Sequence, residues 1–153
     1  MEKTNVSRIL DLMNIEYQMH EYDSEVTDGK MVSKLVGKGE DEVFKTLVTV
    51  VGVKDYRVFV VPVSSTLDLK KAAKAAGVKS VEMLKQKELL PLTGYVHGGC
   101  SPIGMKKQFT TFIDETAMLF DTICISAGKK GKQVELSPIS LANYINAEFK
   151  DLT

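Results

Sequence analysis

The sequence has no tryptophan, two cysteines and four prolines in 153 residues, and 20 basic residues cancel 20 acidic ones. Each scarcity excludes something. Cys100 and Cys124 match no zinc spacing and cannot frame a small secreted domain, so both are expected to be reduced thiols. His20 and His97 have no second ligand at metal-binding spacing along the chain, so neither metal nor cofactor is expected. Zero net charge argues against a uniformly basic surface that would take DNA or any other nucleic acid non-specifically, although it leaves room for a local basic patch. No apolar run reaches the ~18 residues of a membrane span. The N-terminal MEKTNVSRILDLMN is charged and lacks the apolar core of a signal peptide. The expected compartment is the cytoplasm.

What is present is ordinary for a globular protein: 44% hydrophobic and 26% charged residues. A chain of this length fits one domain, 1–153, burying about 70% of its unfolded surface without a staple. No repeat or linker divides it. Val6, Ile9, Leu10 and Met13 fall at helical spacing, and Asn14 ends that helix. Ile15–Tyr22 reads as a short strand, and Val32, Leu35 and Val36 as a short helix in a polar stretch. Val43–Val51 is β-branched and apolar on both faces, and Tyr56–Val63 reads as a second strand after a turn, which predicts an antiparallel hairpin within a sheet, with Pro62 near a strand end or edge. Asp68 caps a helix closed by Gly77. Ser80 opens a second helical stretch through Leu90. Residues 91–107 read as a long glycine-rich loop, TTFID, DTICISA and QVEL as strands, and Ser137-Pro138 as the start of a last helix. The order predicts one α/β (α+β) domain around a mixed, largely antiparallel sheet, and not a doubly wound nucleotide fold.

Three features invite a functional reading. Lys45 shares its strand face with Val43, Leu47, Thr49 and Val51, and lysine is seldom buried without a partner. It can pair with a carboxylate, snorkel from the strand end, or line a cleft as a donor to an ester carbonyl or phosphate. Structural lysines are the commoner case. GGCSPIG (Gly98–Gly104) is either a tight turn or a cradle whose backbone N–H groups hold an oxyanion or phosphate. Its spacing is not that of a P-loop. SAGKKGK (Ser126–Lys132) is either a solvated turn or a phosphate-contacting patch shared with Lys106 and Lys107. Cys100 has no nearby base in sequence to make it a nucleophile.

Taken together, EVFKTLV (Glu42–Val48), LDLKKAAKAAGVKSVEM (Leu67–Met83), TGYVHGGCSPIGMKK (Thr93–Lys107) and ISAGKKGKQVEL (Ile125–Leu136) resemble, in order and nearly end to end, the YbaK/EbsC family of aminoacyl-tRNA deacylases. The resemblance implies a single domain with a barrel-like six-stranded sheet. It also implies hydrolysis of the ester joining a wrong amino acid to tRNA. The branch this chain looks most like implies cysteine on tRNA(Pro), with prolyl-tRNA synthetase as a transient partner. It places Lys45 as the catalytic residue. It places Tyr22, Thr46, Gly98, Gly99, Cys100, Ser101, Pro102, Gly104, Ser126 and Gly128 around the substrate. Lys106, Lys107, Lys129, Lys130 and Lys132 are candidates for contact with tRNA. The chain departs from the family pattern in its polar early loop, Thr27–Lys30, and in having Gln133 where a later aspartate is usual. Both departures touch the pocket. Two rivals follow: a deacylase for another misacylated tRNA such as Ala-tRNA(Pro), and a non-catalytic module that captures tRNA or synthetase.

Overall fold

Residues 43–63 carry valine and phenylalanine on both sides of the pleat and so need a core on each side. The computed structural model, which describes residues 2–153, supplies both. The elements are α1 (Asn5–Leu12), β1 (Tyr17–Glu21), α2 (Gly29–Leu35), β2 (Phe44–Val51), β3 (Asp55–Pro62), α3 (Leu69–Ala76), β4 (Glu82–Met83), α4 (Gln86–Thr93), β5 (Thr110–Asp114), a 3-10 helix (Glu115–Leu119), β6 (Ile123–Ser126), β7 (Lys132–Leu136), α5 (Pro138–Ile145) and β8 (Glu148–Lys150).

Strands β2 and β3 form the predicted antiparallel hairpin, from Phe44 opposite Pro62 to Val51 opposite Asp55. One face of it, carrying Phe44, Val48, Val58 and Val60, joins the main core with α1, α5 and the second sheet. The other face, with Phe59 and Val61, packs on Leu67, Ala72 and Ala73 from and beside α3. Lys45 lies on this second face, opposite Val61.

The sheets are ordered β4-β2-β3-β5-β8 and β1-β7-β6. They meet at one parallel bridge, Val43 to Cys124, where the Cys124 amide donates to the Glu42 carbonyl at 2.8 Å. Across this seam the strands of four or more residues run β1-β7-β6-β2-β3-β5, the six-stranded mixed sheet that the resemblance implies. Among the described residues no ladder joins β1 back to β5, so the barrel is not closed.

The caps fall where the sequence puts them. The Asp68 carboxylate accepts from the amides of Lys70 and Lys71, and Gly77 ends α3 at φ 68°. The Ser137 hydroxyl accepts from the Ser140 amide. Asn14 turns the chain after α1 at φ 57°. The helix expected from Ser80 is a correction. Glu82–Met83 instead pair with Thr49–Val50 of β2, because the open edge of a sheet offers backbone partners that outweigh a weak helical preference. Helix α4 begins only at Gln86 and takes in Pro91, up to a left-handed Gly94 at φ 87°. The 3-10 helix and β8 were not legible. Strand β8 exists by pairing with β5. No helix among the described residues is long and apolar enough to cross a membrane.

The α3 cap gives a test. Asp68→Ala removes the acceptor for two first-turn amides. It should cost about 1 kcal/mol and lower the melting temperature by roughly 2–4 °C, measured by circular dichroism.

Candidate active site

A cleft of about 480 Å³ straddles the seam between the two sheets. Lys45 and Thr46 reach it from the start of β2, and Ser126 and Gln133 from the facing ends of β6 and β7. Tyr22 follows β1. Thr27, Asp28, Gly29 and Lys30 come from the entrance to α2, Ser64, Ser65 and Thr66 from the turn after β3, and His97, Gly98 and Cys100 from the glycine-rich loop. Of the three settings open to Lys45, the structure selects the cleft. Its ammonium makes no ion pair among the described residues, and burial, then repulsion from Lys30, lowers its pKa.

The glycines explain how so many loops converge. A Cβ on Gly98, at φ 88°, would come within 2.8 Å of the Thr27 side chain, and one on Gly99 within 3.0 Å of the Lys130 amide nitrogen. Gly98 thus admits the early loop and Gly99 the second glycine turn. The Gly99 amide donates to the Val96 carbonyl at 2.9 Å, which removes it from the expected oxyanion cradle. The Cys100 and Ser101 amides make no hydrogen bond among the described residues, and Cys100 faces the cleft.

The other residues expected around the substrate divide in two. Tyr22, Thr46, Gly98, Cys100 and Ser126 line the cleft with Lys45. Gly99, Ser101, Pro102, Gly104 and Gly128 are set behind it. The fully buried Ser101 uses its hydroxyl to accept from the Ile103 amide. Gly104 and Gly128 press against Tyr95 and α1. Tyr95 donates to the Ile103 carbonyl at 2.6 Å and accepts from Asn5 at 3.2 Å. Burial pushes the Cys100 thiol up to about 12, so it is protonated at neutral pH and a poor nucleophile.

Among the lysines, Lys106, Lys107, Lys129 and Lys130 are exposed, although Lys129 is paired with Glu2 at 3.0 Å. Lys132 is a correction. It is buried and bound to Glu21 at 2.9 Å, because its position in β7 places it against β1. Sequence reasoning did not name Lys30, Ser64–Thr66 or His97 as site residues. Only the fold brings those segments together, and the polar early loop was the one signal of them.

Behind Ser126 and Gln133, on the same face of the three-stranded sheet, lies a second polar cluster. Glu135 accepts from Thr122 at 2.6 Å, pairs with His20 at 2.8 Å and with Lys38 at 3.0 Å. Burial alone would raise its pKa. The hydrogen bonds from Thr122, His20 and Lys38, with the Lys38 charge, outweigh burial and hold it at about 2. The ligand atoms of His20, Cys124 and Glu135 lie within 4.8 Å of one another, a grouping invisible in the chain order. The Lys38 ammonium already supplies the counter-charge there, and the Cys124 thiol is raised to about 12, chiefly by burial. Lys38 sits between α2 and β2, so the cluster ties that connection to the second sheet.

A cleft that offers, among the described residues, an unpaired ammonium, several hydroxyls and the free Cys100 amide, without a hydrogen-bonded nucleophile and base, is built to hold and polarise an ester or phosphate ligand. The profile of the aminoacyl-tRNA editing domain matches residues 24–144, and the chain belongs to that family. EbsC of Enterococcus faecalis, described as a candidate Cys-tRNA(Pro)/Cys-tRNA(Cys) deacylase, is 42% identical over 99% of this chain and 94% of its own. YwhH of Bacillus subtilis, uncharacterised, is 24% identical over 86% of this chain and 83% of its own. Among solved structures, a candidate trans-editing enzyme for prolyl-tRNA synthetase superimposes with a TM-score of 0.85 at 23% identity, covering 100% of this chain and 99% of that one. A hypothetical protein superimposes at 0.89 and 21% identity, covering 97% and 99%. At such identities the likeness speaks for the fold.

The Glu135 cluster predicts an acid-sensitive seam. The folded pKa, about 2, lies below the ordinary carboxylate value of 4.5. Its stabilisation is therefore complete above about 4.5 and is lost as pH falls from there towards about 2. Glu135→Gln should be less stable at pH 7 by on the order of 3 kcal/mol and show a flatter acid limb, read by urea unfolding across that pH range.

Proposed function

We propose that residues 1–153 form one cytoplasmic trans-editing deacylase, which frees tRNA(Pro) from wrongly attached cysteine. Membership of the editing family and the 42% identity to EbsC support the reaction class. The observation that carries the reading is Lys45, partly desolvated, without a carboxylate partner among the described residues and facing a cleft that crosses the seam. Its ammonium polarises the ester carbonyl or holds the terminal ribose and phosphate. The Cys100 amide and the hydroxyls of Thr46 and Ser126 stabilise the oxyanion. The Ser126 hydroxyl accepts from the Gly128 amide at 3.1 Å, which leaves its proton for the ligand.

The nucleophile comes from the substrate. The cysteinyl sulfur attacks its own ester carbonyl, an S–C bond forms, the C–O bond to the ribose breaks, and the thiol proton passes to the departing ribose oxygen. The tRNA leaves, and water later opens the small thiolactone ring. Intramolecular attack has a large effective molarity. It selects cysteine over amino acids of similar size without a tight pocket, where shape alone discriminates poorly. Exposed Lys106, Lys107 and Lys130 give tRNA a modest electrostatic contact. A transient complex with prolyl-tRNA synthetase raises the effective tRNA concentration. No metal and no cofactor enters this scheme.

Lys45→Ala should lower kcat/KM on Cys-tRNA(Pro) by about 100-fold or more with an unchanged melting temperature, since it breaks no ion pair. Full activity would overturn the assignment, and tRNA binding by the wild type with no turnover would favour a binding module. A second prediction concerns the nucleophile. Ser-tRNA(Pro), lacking the thiol, should be a far poorer substrate than Cys-tRNA(Pro); equal rates would point to water. Ala-tRNA(Pro) assayed alongside decides whether the polar early loop has moved the preference to alanine.

A further inference from the structure

Two residues that line the cleft each carry a buried side-chain polar atom with no hydrogen-bond partner among the described residues, Thr46 Oγ1 and Gln133 Oε1. Gln133 is 6% exposed and lines the cleft, and its side chain makes no hydrogen bond among the described residues. A buried amide without partners is uncommon and disfavours the folded state. It stays tolerable where a ligand completes it. Rotation of the amide about its last bond exchanges the two ends and brings the carbonyl, closed off from water in the free protein, to the ligand.

Chemistry narrows which ligand group that is. An aminoacyl ester has only acceptors at its carbonyl and bridging oxygens. Its acyl half carries one strong donor, the α-amino group, and the thiol is a weak one. Lys45 and Lys30 both line the cleft and are unpaired among the described residues, so an ammonium beside them is repelled. Gln133 stands across the seam from Lys45, on β7 of the other sheet, next to Ser126 of β6 in the ladder. The cleft's carboxylate, Asp28, is exposed, and its attraction is weakened by solvent. We infer that the Gln133 side-chain carbonyl accepts a hydrogen bond from the α-amino group of the bound aminoacyl ester, and so orients the acyl chain with its carbonyl towards Lys45. Gln133 is a positioning residue that reads the amino acid as an amine without adding a charge to the cleft. The inference rests on the reading that an aminoacyl ester enters this cleft.

The test measures binding, apart from turnover. The full chain is titrated calorimetrically with adenosine carrying a 3′-cysteinylamide and with the 3-mercaptopropionylamide, which keeps the thiol and lacks the amine. The wild type should bind the amine-bearing compound about tenfold tighter. Gln133→Leu should close that gap to within about twofold while leaving the affinity for the amine-free compound unchanged. Its melting temperature should not fall, because an unpartnered amide has been replaced by an apolar group. Gln133→Glu, which keeps an acceptor, should keep or widen the gap, and Asp28→Asn should keep it. A gap that persists in Gln133→Leu, is absent from the wild type, or vanishes in Gln133→Glu overturns the inference. So does an equal loss for both compounds in Gln133→Leu. A wild type that shows the gap but does not turn over Cys-tRNA(Pro) refutes the deacylase reading alone and leaves Gln133 its role.

Discussion

The site depends on the seam between the two sheets. Lys45 and Thr46 belong to one sheet, Ser126 and Gln133 to the other, and among the described residues backbone pairing between them is a single bridge at Val43 and Cys124. Such a bridge resists sliding poorly by itself. Val43, Val63 and Cys124 pack as a small apolar cluster around it, and the Glu135 cluster draws Lys38 onto the second sheet from beside it. An ion pair on the surface would do this weakly. Glu135 is largely buried, so loss of one partner leaves a charge that water does not reach, and the pair resists separation. The distance across the cleft is set by these interactions and not by the residues that face the ligand.

A rigid seam is what makes an unpaired lysine tolerable. Desolvation and Lys30 both act against the charged form of Lys45, and a flexible strand would relieve this by swinging the side chain into water. Strand β2 cannot do so. It is paired on both edges, with β3 and β4, and both its faces contribute to a core. The cost of holding the ammonium is spread over that packing, and an ester or phosphate regains it on binding. The glycines act in the same way on the loops. They permit contacts at Gly98 and Gly99 that any side chain would prevent, so the early loop and the second glycine turn are held at fixed distances from β2.

Local signals in the chain read well. The hairpin follows from two-sided β-branched runs, and the caps at Asp68, Gly77 and Ser137 from residue types with one strong conformational use. Lys45 was visible as an oddity in its strand, yet alternation alone could not separate a paired lysine from an unpaired one. That distinction depends on which side chains the fold brings around the cleft. The same holds for Glu135, which meets His20 and Lys38 only across strands, and for Lys132, whose glycine-flanked setting suggests solvent while its register against β1 buries it beside Glu21. The error at Ser80–Leu90 has a related cause. Helical preference there is weak, and the unpaired edge of β2 decides the outcome. The GGCSPIG segment was legible as functional, but its division of labour was not. Gly98 and Cys100 face the cleft while Ile103 and Gly104 hold the loop to Tyr95 and α1, a split that follows from the path of a chain with no regular structure.

Charge then separates two tasks within one small cleft. The nucleic-acid end of the proposed ligand is anionic, and the unpaired ammoniums of Lys45 and Lys30 suit it. The amino-acid end carries a protonatable amine, which those same ammoniums repel. A carboxylate there, usual in the family pattern, would attract the amine more strongly, but it would also compete with the ester for Lys45. A neutral amide avoids this exchange. Gln133 offers an acceptor without a charge, on the sheet that does not carry Lys45, and its lack of an internal partner is the cost of keeping that acceptor available. The overall neutrality of the chain has the same logic at larger scale. Strong tRNA affinity would retain the product, whereas a few exposed lysines and a partner that supplies effective concentration allow release after each cleavage.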